Sequence, residues 1–301
     1  MATAKAWIQE IRAPFLILTP ISVFVGAAVA AYEGWAINAG YLAIAMVGAV
    51  LAHIAVNVIN EYYDYQSGVD FKTVRTPFSG GSGILVQGLV SPRAAFMLGI
   101  ACIAAILGIG GYFYTVHGYG IVPLGILGVV VLYFYTTHIT KSPLLCAIAP
   151  GLGFGPLMVM GTYFALTGTY SLAAGLASLV PAFLVSNLLL LNQFPDVEAD
   201  KLVNRRHLPI VIGRKNSSLV YTGLLVAAYG ALIGSVAAGV LPPLALLGLI
   251  TLPLGWVAVR GARRYHDQIE KLVPTMGKNV MLTLAFPLLM AVGMVIAVVI
   301  G

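Results

Sequence analysis

The feature that most constrains this chain is a series of long apolar segments separated by short polar ones. Nine such segments occur, at about residues 14–32, 41–63, 94–114, 120–137, 144–166, 172–194, 219–240, 242–259 and 280–300. A helix needs about 20 mostly apolar residues to cross a bilayer. Only 9% of the residues are charged, whereas soluble domains carry about 25%. The sequence therefore predicts an all-α polytopic membrane protein with nine transmembrane helices, of which the eighth is short.

The positions of the basic residues predict the orientation of these helices. If all nine segments cross the membrane, the 16 Lys and Arg residues all fall on the side that holds the N-terminus. Because basic residues concentrate on the cytoplasmic side, we expect the N-terminus inside and the C-terminus outside, in the cytoplasmic membrane of a prokaryote. The formal charge of +6 then reflects topology, and the predicted partner is the lipid bilayer, not nucleic acid.

The longest connections, at about 65–92, 196–218 and 261–279, lie on the inside face, where we expect the functional site. An Asn-x-x-x-Asp pattern closes both the second and the sixth segment. We therefore predict one domain over residues 1–301, built from two four-helix repeats (about 1–138 and 139–260) and a ninth helix. Cys102 and Cys146 lie in or beside apolar segments and indicate neither a disulfide framework nor a zinc site.

A polar stripe ends the second segment. Its members are spaced by four, three and four residues: His53, Asn57, Asn60 and Asp64. This spacing places them on one helical face, and polar residues in a membrane face the bundle interior or a cavity. Asp70 follows Gly68, where the chain can turn back. His53 alone is typical of an interior histidine.

A second polar stripe ends the sixth segment, where Asn192, Asp196 and Asp200 recur every four residues. Pro195 removes a backbone donor and is expected to kink the helix or open its last turn. Glu61 and Glu198 lie off the two stripes. They are expected to be solvated or to contact the metal ligands without binding the metal themselves. His207 is predicted to be a loop residue.

These two clusters predict a site for Mg²⁺ and a diphosphate. Oxygen ligands suit Mg²⁺, which prefers carboxylates together with substrate phosphates. Basic residues that suit the remaining phosphate oxygens surround both clusters: Lys72, Arg75, Lys141, Lys201, Arg205 and Arg206. One alternative is an ion-coupled transporter, whose sites lie nearer the bilayer midplane. Another alternative is a different lipid-linked diphosphate enzyme, such as a phosphatase or a phosphoalcohol transferase. The Asp-Gly-x-x-Ala-Arg pattern of phosphoalcohol transferases is missing from the sequence.

At these residues the sequence resembles the UbiA superfamily of intramembrane aromatic prenyltransferases. The first family motif is matched by Asn57-x-x-Asn60-Glu61-x-x-Asp64 with Asp70, and the second by Asn192-x-x-x-Asp196-x-x-x-Asp200. Further matches are Arg12-x-Pro14, Tyr135-Thr136, Gly155-Pro156 and Gly161-Thr162-Tyr163. The step from Asp64 to Asp70 and the run GPLxVxGTYF resemble the menaquinone branch, which prenylates 1,4-dihydroxy-2-naphthoate. The sequence departs from the family at Glu61, where Asp is usual, at Phe154, where many members carry an acidic residue, and in the run TPFSGGSG at 76–83.

The resemblance implies Mg²⁺-dependent transfer of a polyprenyl chain from polyprenyl diphosphate to an aromatic acceptor. The expected metal ligands are Asn60, Asp64, Asp70, Asn192, Asp196 and Asp200. The expected substrate-binding residues also include Arg12, Asn57, Arg75, Lys201 and Tyr163. Asp64, Asp196, Lys141 and Tyr135 are the expected catalytic residues, and Tyr135, Tyr163 or Phe164 would shield an allylic cation. Other acceptors known for such a fold are a hydroxybenzoate, a chlorin, a heme or a glycerol lipid.

Overall fold

The computed structural model describes residues 2–300, and all regular structure within this range is helical. The α-helices are α1 (Ala4–Glu10), α2 (Leu18–Tyr32), α3 (Ala39–Ser67), α4 (Pro92–His117), α5 (Ile121–Phe134), α6 (Pro143–Leu152), α7 (Gly161–Thr167), α8 (Leu172–Lys201), α9 (Leu208–Val211), α10 (Gly213–Ala237), α11 (Leu252–Arg264) and α12 (Ile269–Ile300). A π-helical segment, Gly153–Met160, joins α6 to α7, and a 3-10 segment, Pro243–Thr251, leads into α11.

The predicted all-α membrane architecture is confirmed. Eight helical segments of the described chain are long and apolar enough to cross a membrane. The short one is α5, which has 14 residues, whereas the sequence predicted a short eighth span. That span covers 22 residues, Pro243–Arg264, because the polar end of α11 continues the helix beyond the apolar stretch.

Local sequence explains where several helices begin and end. The side chains of Asn38, Ser91 and Ser171 accept hydrogen bonds from backbone N–H groups in the first turns of α3, α4 and α8, as N-cap residues do. Gly68 ends α3 with a φ of 79°, a left-handed conformation that glycine adopts without a steric penalty. The predicted reversal at Gly68 is therefore confirmed, and the 3-10 turn Val69–Phe71 carries Asp70 back toward the bundle.

Helix α8 lies at the centre of the bundle and packs against α2, α6, α10, α12 and the π segment. Small residues allow close approach, since Gly151 and Gly155 leave no room for a Cβ against the backbone of α8, and membrane helices commonly pack through such residues. The main core cluster includes Val29 of α2, Leu184 of α8 and Leu232 of α10, each fully buried.

Both motif helices extend past their apolar stretches. Helix α3 runs to Ser67, and α8 continues through Pro195 to Lys201. The predicted opening of the last turn of α8 is therefore wrong, because neighbouring packing can maintain a membrane helix across a proline. The predicted long connections at 196–218 and 261–279 are also mostly helical, since α8, α9 and α10 occupy most of the first and α11 and α12 most of the second.

Candidate active site

Most of the predicted site residues surround one small chamber at the N-terminal side of the bundle. We call this space the polar chamber; it has a volume of about 110 Å³. The predicted residues that line it are Arg12, Asn60, Asp64, Asp70, Tyr135, Asn192, Asp196 and Asp200. They come from the start of the first span, the ends of α3 and α8, the turn after Gly68 and the end of α5. The two motifs therefore face each other across a common space.

The asparagines of α3 are oriented by hydrogen bonds to other elements. Asn60 Nδ2 donates to Thr136 Oγ1 at 2.9 Å, and Asn57 Nδ2 donates to the carbonyl oxygen of Ile11 at 2.9 Å. These bonds tie α3 to the segment after α5 and to the entry of the first span. Asn57 does not line the polar chamber; it lies on the wall of the adjoining cavity described below.

Arg205 links the two motifs directly. Its Nη2 contacts Asp64 Oδ1, and its Nη1 donates to Asp200 Oδ1 at 2.8 Å. His207 Nε2 lies 3.0 Å from the other oxygen of Asp200. The sequence identified Arg205 only as one of several nearby basic residues.

The prediction that His207 is a loop residue is confirmed, but it gave the side chain no role, and that side chain is 1% exposed and lines the polar chamber. The chain returns to α8 at Asn204, which has a φ of 58°, a conformation that asparagine tolerates better than most residues. The Arg205 backbone N–H then donates to the carbonyl oxygen of Asp200 at 3.1 Å. An asparagine four residues after Asp200 is the sequence signal for this reversal.

The chemistry of the polar chamber suits a hard cation. Asp70 Oδ2, Asn192 Oδ1 and Asp196 Oδ1 are buried oxygens without a hydrogen-bond partner within residues 2–300. Burial, together with the charges of Asp64 and Glu61, raises the pKa of Asp70 to about 8, so the site favours an added positive charge. No three His, Cys, Asp or Glu side chains of the described residues form a metal-binding group. The three unpartnered oxygens are of the carboxylate and amide kind that Mg²⁺ accepts together with substrate phosphates and waters.

A larger apolar cavity of about 550 Å³ adjoins the polar chamber. Arg12, Asn60, Tyr135 and Asn192 line both spaces. From these residues the cavity extends to Tyr114 and the far ends of α4 and α5, so it covers most of the length of the bundle. Helices α2 to α8 supply its walls, which are almost entirely apolar. Long flexible hydrocarbon fits such a space, whereas a hydrated solute does not.

Three predicted basic site residues do not line the polar chamber: Lys141, Lys201 and Arg75. Lys141 is exposed, and Lys201 points to solvent, where its Nζ lies 3.2 Å from Glu198 Oε1. Since successive helical residues are rotated by about 100°, Lys201 cannot share the inward face of Asp200. Arg75 is also exposed, but its Nη2 donates to the carbonyl oxygen of Asp70 at 3.0 Å.

Tyr163 and Phe164 lie far from the two motifs. Tyr163 donates a hydrogen bond to Glu33, which follows the end of α2, whereas Arg12 precedes the start of the same helix. The ring of Phe164 packs against Tyr170, with centroids 4.9 Å apart. The structure therefore does not bring Tyr163 and Phe164 together with the aspartates, because the π segment and α7 carry them toward the opposite face.

Comparison with known proteins gives a consistent result. Residues 19–282 match the UbiA prenyltransferase family. A 1,4-dihydroxy-2-naphthoate octaprenyltransferase from Bacillus subtilis (strain 168) is 26% identical over 250 residues, which cover 81% of this chain and 78% of the relative.

Solved structures share the fold. The apo structure of a UbiA homologue from Aeropyrum pernix K1 superimposes with a TM-score of 0.72 at 18% identity, covering 94% of this chain and 98% of that one. The structure of a UbiA homologue from Archaeoglobus fulgidus bound to GPP and Mg²⁺ gives a TM-score of 0.57 at 14% identity, with coverage of 96% and 99%. These similarities extend over nearly the whole bundle.

Proposed function

The chain belongs to the UbiA prenyltransferase family, and from this premise we propose that it transfers a polyprenyl chain from polyprenyl diphosphate to 1,4-dihydroxy-2-naphthoate, with Mg²⁺ as cofactor. The observation that carries the proposal is the direct junction of the polar chamber with the apolar cavity at Arg12, Asn60, Tyr135 and Asn192. A polyprenyl diphosphate has a charged head and an apolar tail, and the two spaces match these parts.

The relatives support the choice of substrates. The Bacillus subtilis relative is named for 1,4-dihydroxy-2-naphthoate, and the Archaeoglobus fulgidus structure contains GPP and Mg²⁺. In this chain, the residues that would hold Mg²⁺ are Asn60, Asp64, Asp70, Asn192, Asp196 and Asp200. Bound there, the ion supplies positive charge that stabilises the leaving diphosphate.

The chain's own residues account for the remaining requirements of the reaction. Arg12 lies at the junction of the two spaces, where its guanidinium can bind diphosphate oxygens and orient the allylic carbon toward the cavity. Tyr135 lines the same junction, and its ring face can stabilise positive charge on that carbon. The apolar walls exclude water, which would otherwise hydrolyse the activated chain.

A transfer assay on the purified protein in detergent tests this proposal. Farnesyl or geranylgeranyl diphosphate is supplied with 1,4-dihydroxy-2-naphthoate, 4-hydroxybenzoate or another acceptor, with and without Mg²⁺. Prenylation of the naphthoate that requires Mg²⁺ is the expected result. Release of diphosphate with transfer only to a different acceptor would overturn the naphthoate assignment and retain the donor chemistry. Absence of donor cleavage under all conditions would contradict the whole proposal.

A further inference from the structure

Two buried glutamates outside the polar chamber form a cluster with Ser82, which is half-buried. Glu10 of α1 and Glu61 of α3 are 0% and 1% exposed, and both meet Ser82. The backbone N–H of Ser82 donates to the Glu61 carboxylate, at 2.8 Å from Oε1 and 3.0 Å from Oε2. The Ser82 hydroxyl lies 2.8 Å from Glu61 Oε2 and 3.1 Å from Glu10 Oε2. Of the two alternatives expected for Glu61, solvation is therefore wrong, because Ser82 covers it, and only a supporting role beside the metal ligands is left.

The contacts within this cluster are best satisfied when one of the two carboxyl groups carries a proton. A hydroxyl group has one hydrogen, so it donates to one carboxyl group and accepts from the other. One of the two glutamates is therefore protonated if both contacts are hydrogen bonds. Burial, and then the charge of Glu61, raises the pKa of Glu10 to about 7 against the opposing effects of Ser82 and Arg12. Glu61 instead accepts the backbone N–H of Ser82 through its carboxyl oxygens.

Ser82 belongs to the glycine-rich loop, which we define as residues 76–83. Gly80, Gly81 and Gly83 have φ values of 87°, 69° and 72°, so the loop follows a path that other residues rarely adopt. Ser79, Gly80 and Gly81 line the polar chamber. A Cβ at Gly81 would lie 3.2 Å from oxygens of both Asp70 and Glu61. The loop is therefore one wall of the chamber, packed directly beside a predicted metal ligand.

We propose that Glu10, Glu61 and Ser82 form a latch that holds the glycine-rich loop against the polar chamber and so positions this wall for the diphosphate of the donor. The proposal rests on the proposed function for the identity of that ligand. All three are positioning residues, since none lines the chamber. The latch also accounts for two departures from the family pattern. Glutamate at position 61 reaches one methylene farther than aspartate, and Ser82 of the unusual run TPFSGGSG supplies both donors to it.

The first test compares Ser82→Ala with Ser82→Thr, which retains a hydroxyl. Ser82→Ala is expected to raise the KM for the prenyl diphosphate roughly tenfold or more while kcat changes much less, because the site is loosened before the donor binds. Amide hydrogen exchange over residues 79–83 is expected to accelerate. Ser82→Thr is expected to restore both values in part. Unchanged KM and unchanged exchange in Ser82→Ala would overturn the latch.

The second test changes the protonation of Glu10, by substitution and by pH. Glu10→Gln retains a donor without the ionisable group, so it is expected to behave like the wild type below about pH 7, where Glu10 is protonated. The wild-type proton is lost as pH rises through about 7, which places two facing carboxylates beside one hydroxyl. The wild-type KM for donor and the exchange of residues 79–83, corrected for intrinsic rates, are therefore expected to rise above this pH, and those of Glu10→Gln to rise less. Identical pH profiles would contradict the proton's part in the latch.

Glu270→Gln is the matched control, since Glu270 is exposed in the first turn of α12 and is expected to change neither measurement. The exchange experiment needs no substrate, so it separates the two proposals. Faster exchange in Ser82→Ala without naphthoate transfer by the wild type would refute the proposed acceptor and retain the latch. Naphthoate transfer by the wild type with unaltered exchange in Ser82→Ala would retain the proposed acceptor and refute the latch. If Ser82→Ala does not fold, Glu10→Ala replaces it, because it removes one of the two carboxyl groups that contact Ser82, and unchanged exchange over residues 79–83 in that variant would overturn the latch.

Discussion

Asp64 and Asp200 come from different helices, yet the guanidinium of Arg205 contacts both of them. The three side chains are mostly buried, at 15% exposed for Arg205, 11% for Asp64 and 5% for Asp200. In so little water, the two carboxylates repel each other strongly unless a cation lies between them. Arg205 supplies that positive charge, and a metal-bound diphosphate complex would supply more of it.

The aspartates can be tested individually. Asp196→Asn removes a charge from a side chain whose Oδ1 is buried and has no hydrogen-bond partner, so it should disturb packing little. We expect prenyl transfer to fall by roughly 100-fold or more, as when one electrostatic stabiliser is removed from an active site. Initial rates at saturating Mg²⁺ and the elution volume in size-exclusion chromatography provide the measurement. Glu198→Gln, on the exposed face of the same helix, is the control, and equal activity of the two variants would refute the assignment.

Arg205 permits a stability prediction at the same scale. Arg205→Gln leaves two buried carboxylates without their shared partner, and breaking a buried ion pair on one side typically costs about 3–5 kcal/mol. We expect a lower Tm in EDTA and a partial recovery when Mg²⁺ is added. Lys201→Gln breaks an exposed pair, in which Lys201 and Glu198 are 47% and 73% exposed, and such pairs contribute about 0–1 kcal/mol. Equal Tm values for the two variants would show that the Arg205 bridge is weak.

At the scale of the elements, the site depends on how closely α6 and the π segment approach α8. A Cβ at Gly151 would lie 2.2 Å from the carbonyl oxygen of Ala182, and a Cβ at Gly155 would lie 2.5 Å from that of Ser178. Cys146, one turn before Gly151, accepts a hydrogen bond from Gln193 Nε2 at 3.2 Å. The close contact therefore sets the position of α6 beside the second motif.

Substitution of these glycines tests the contact. Gly151→Ala inserts a methyl group against backbone, and overpacking of this kind costs about 1–3 kcal/mol. We expect a lower Tm in detergent, measured by thermal unfolding. Gly153→Ala is the matched control, because nothing lies within 4 Å of a Cβ built there. If the control lowers Tm as much as Gly151→Ala does, helix propensity or handling, and not the α6–α8 contact, explains the loss.

At the scale of the whole molecule, the large apolar cavity begins at the polar chamber and extends toward the opposite face of the bundle. Its length follows from the helices, since α5 lines it from Ile121 to Leu132 and α4 lines it with its second half, from Ile106 to Tyr114. Gly125 and Gly128 of α5 line it, and a Cβ at either position would meet nothing within 4 Å. The length of the cavity beyond the polar chamber therefore limits the length of the prenyl chain that it can hold.

Filling the cavity should therefore change donor selectivity. Gly125→Phe places a ring across the far part of the cavity, so we expect kcat/KM for geranylgeranyl diphosphate to fall about tenfold or more relative to that for geranyl diphosphate. Gly230→Phe is the control, because Gly230 is exposed on α10 with nothing within 4 Å of its Cβ position. An unaltered ratio of the two donors in Gly125→Phe would show that the chain lies elsewhere.

The sequence by itself determined the architecture and the location of the polar chamber. Apolar segments of spanning length permit only helices in lipid, because unsatisfied backbone groups are too costly there. The period of the helix then aligned Asn60 with Asp64 and Asp196 with Asp200. Both motifs lie at the same face of the membrane, which follows from the number of apolar segments between them in the sequence. These properties depend on near neighbours in the chain, which is why they could be predicted.

Only the tertiary structure decided which distant groups meet. Arg205 contacts Asp64, and Ser82 contacts Glu10 and Glu61, although no local pattern couples these positions. Tyr163 was expected to bind substrate, but it contacts Glu33 at the C-terminal end of α2, whereas the polar chamber lies near the N-terminal end of that helix. Local periodicity fixes the face of a helix on which a residue lies. The packing of all the helices together fixes what lies opposite that face, and loops such as 76–83 follow paths that depend on contacts with several helices at once.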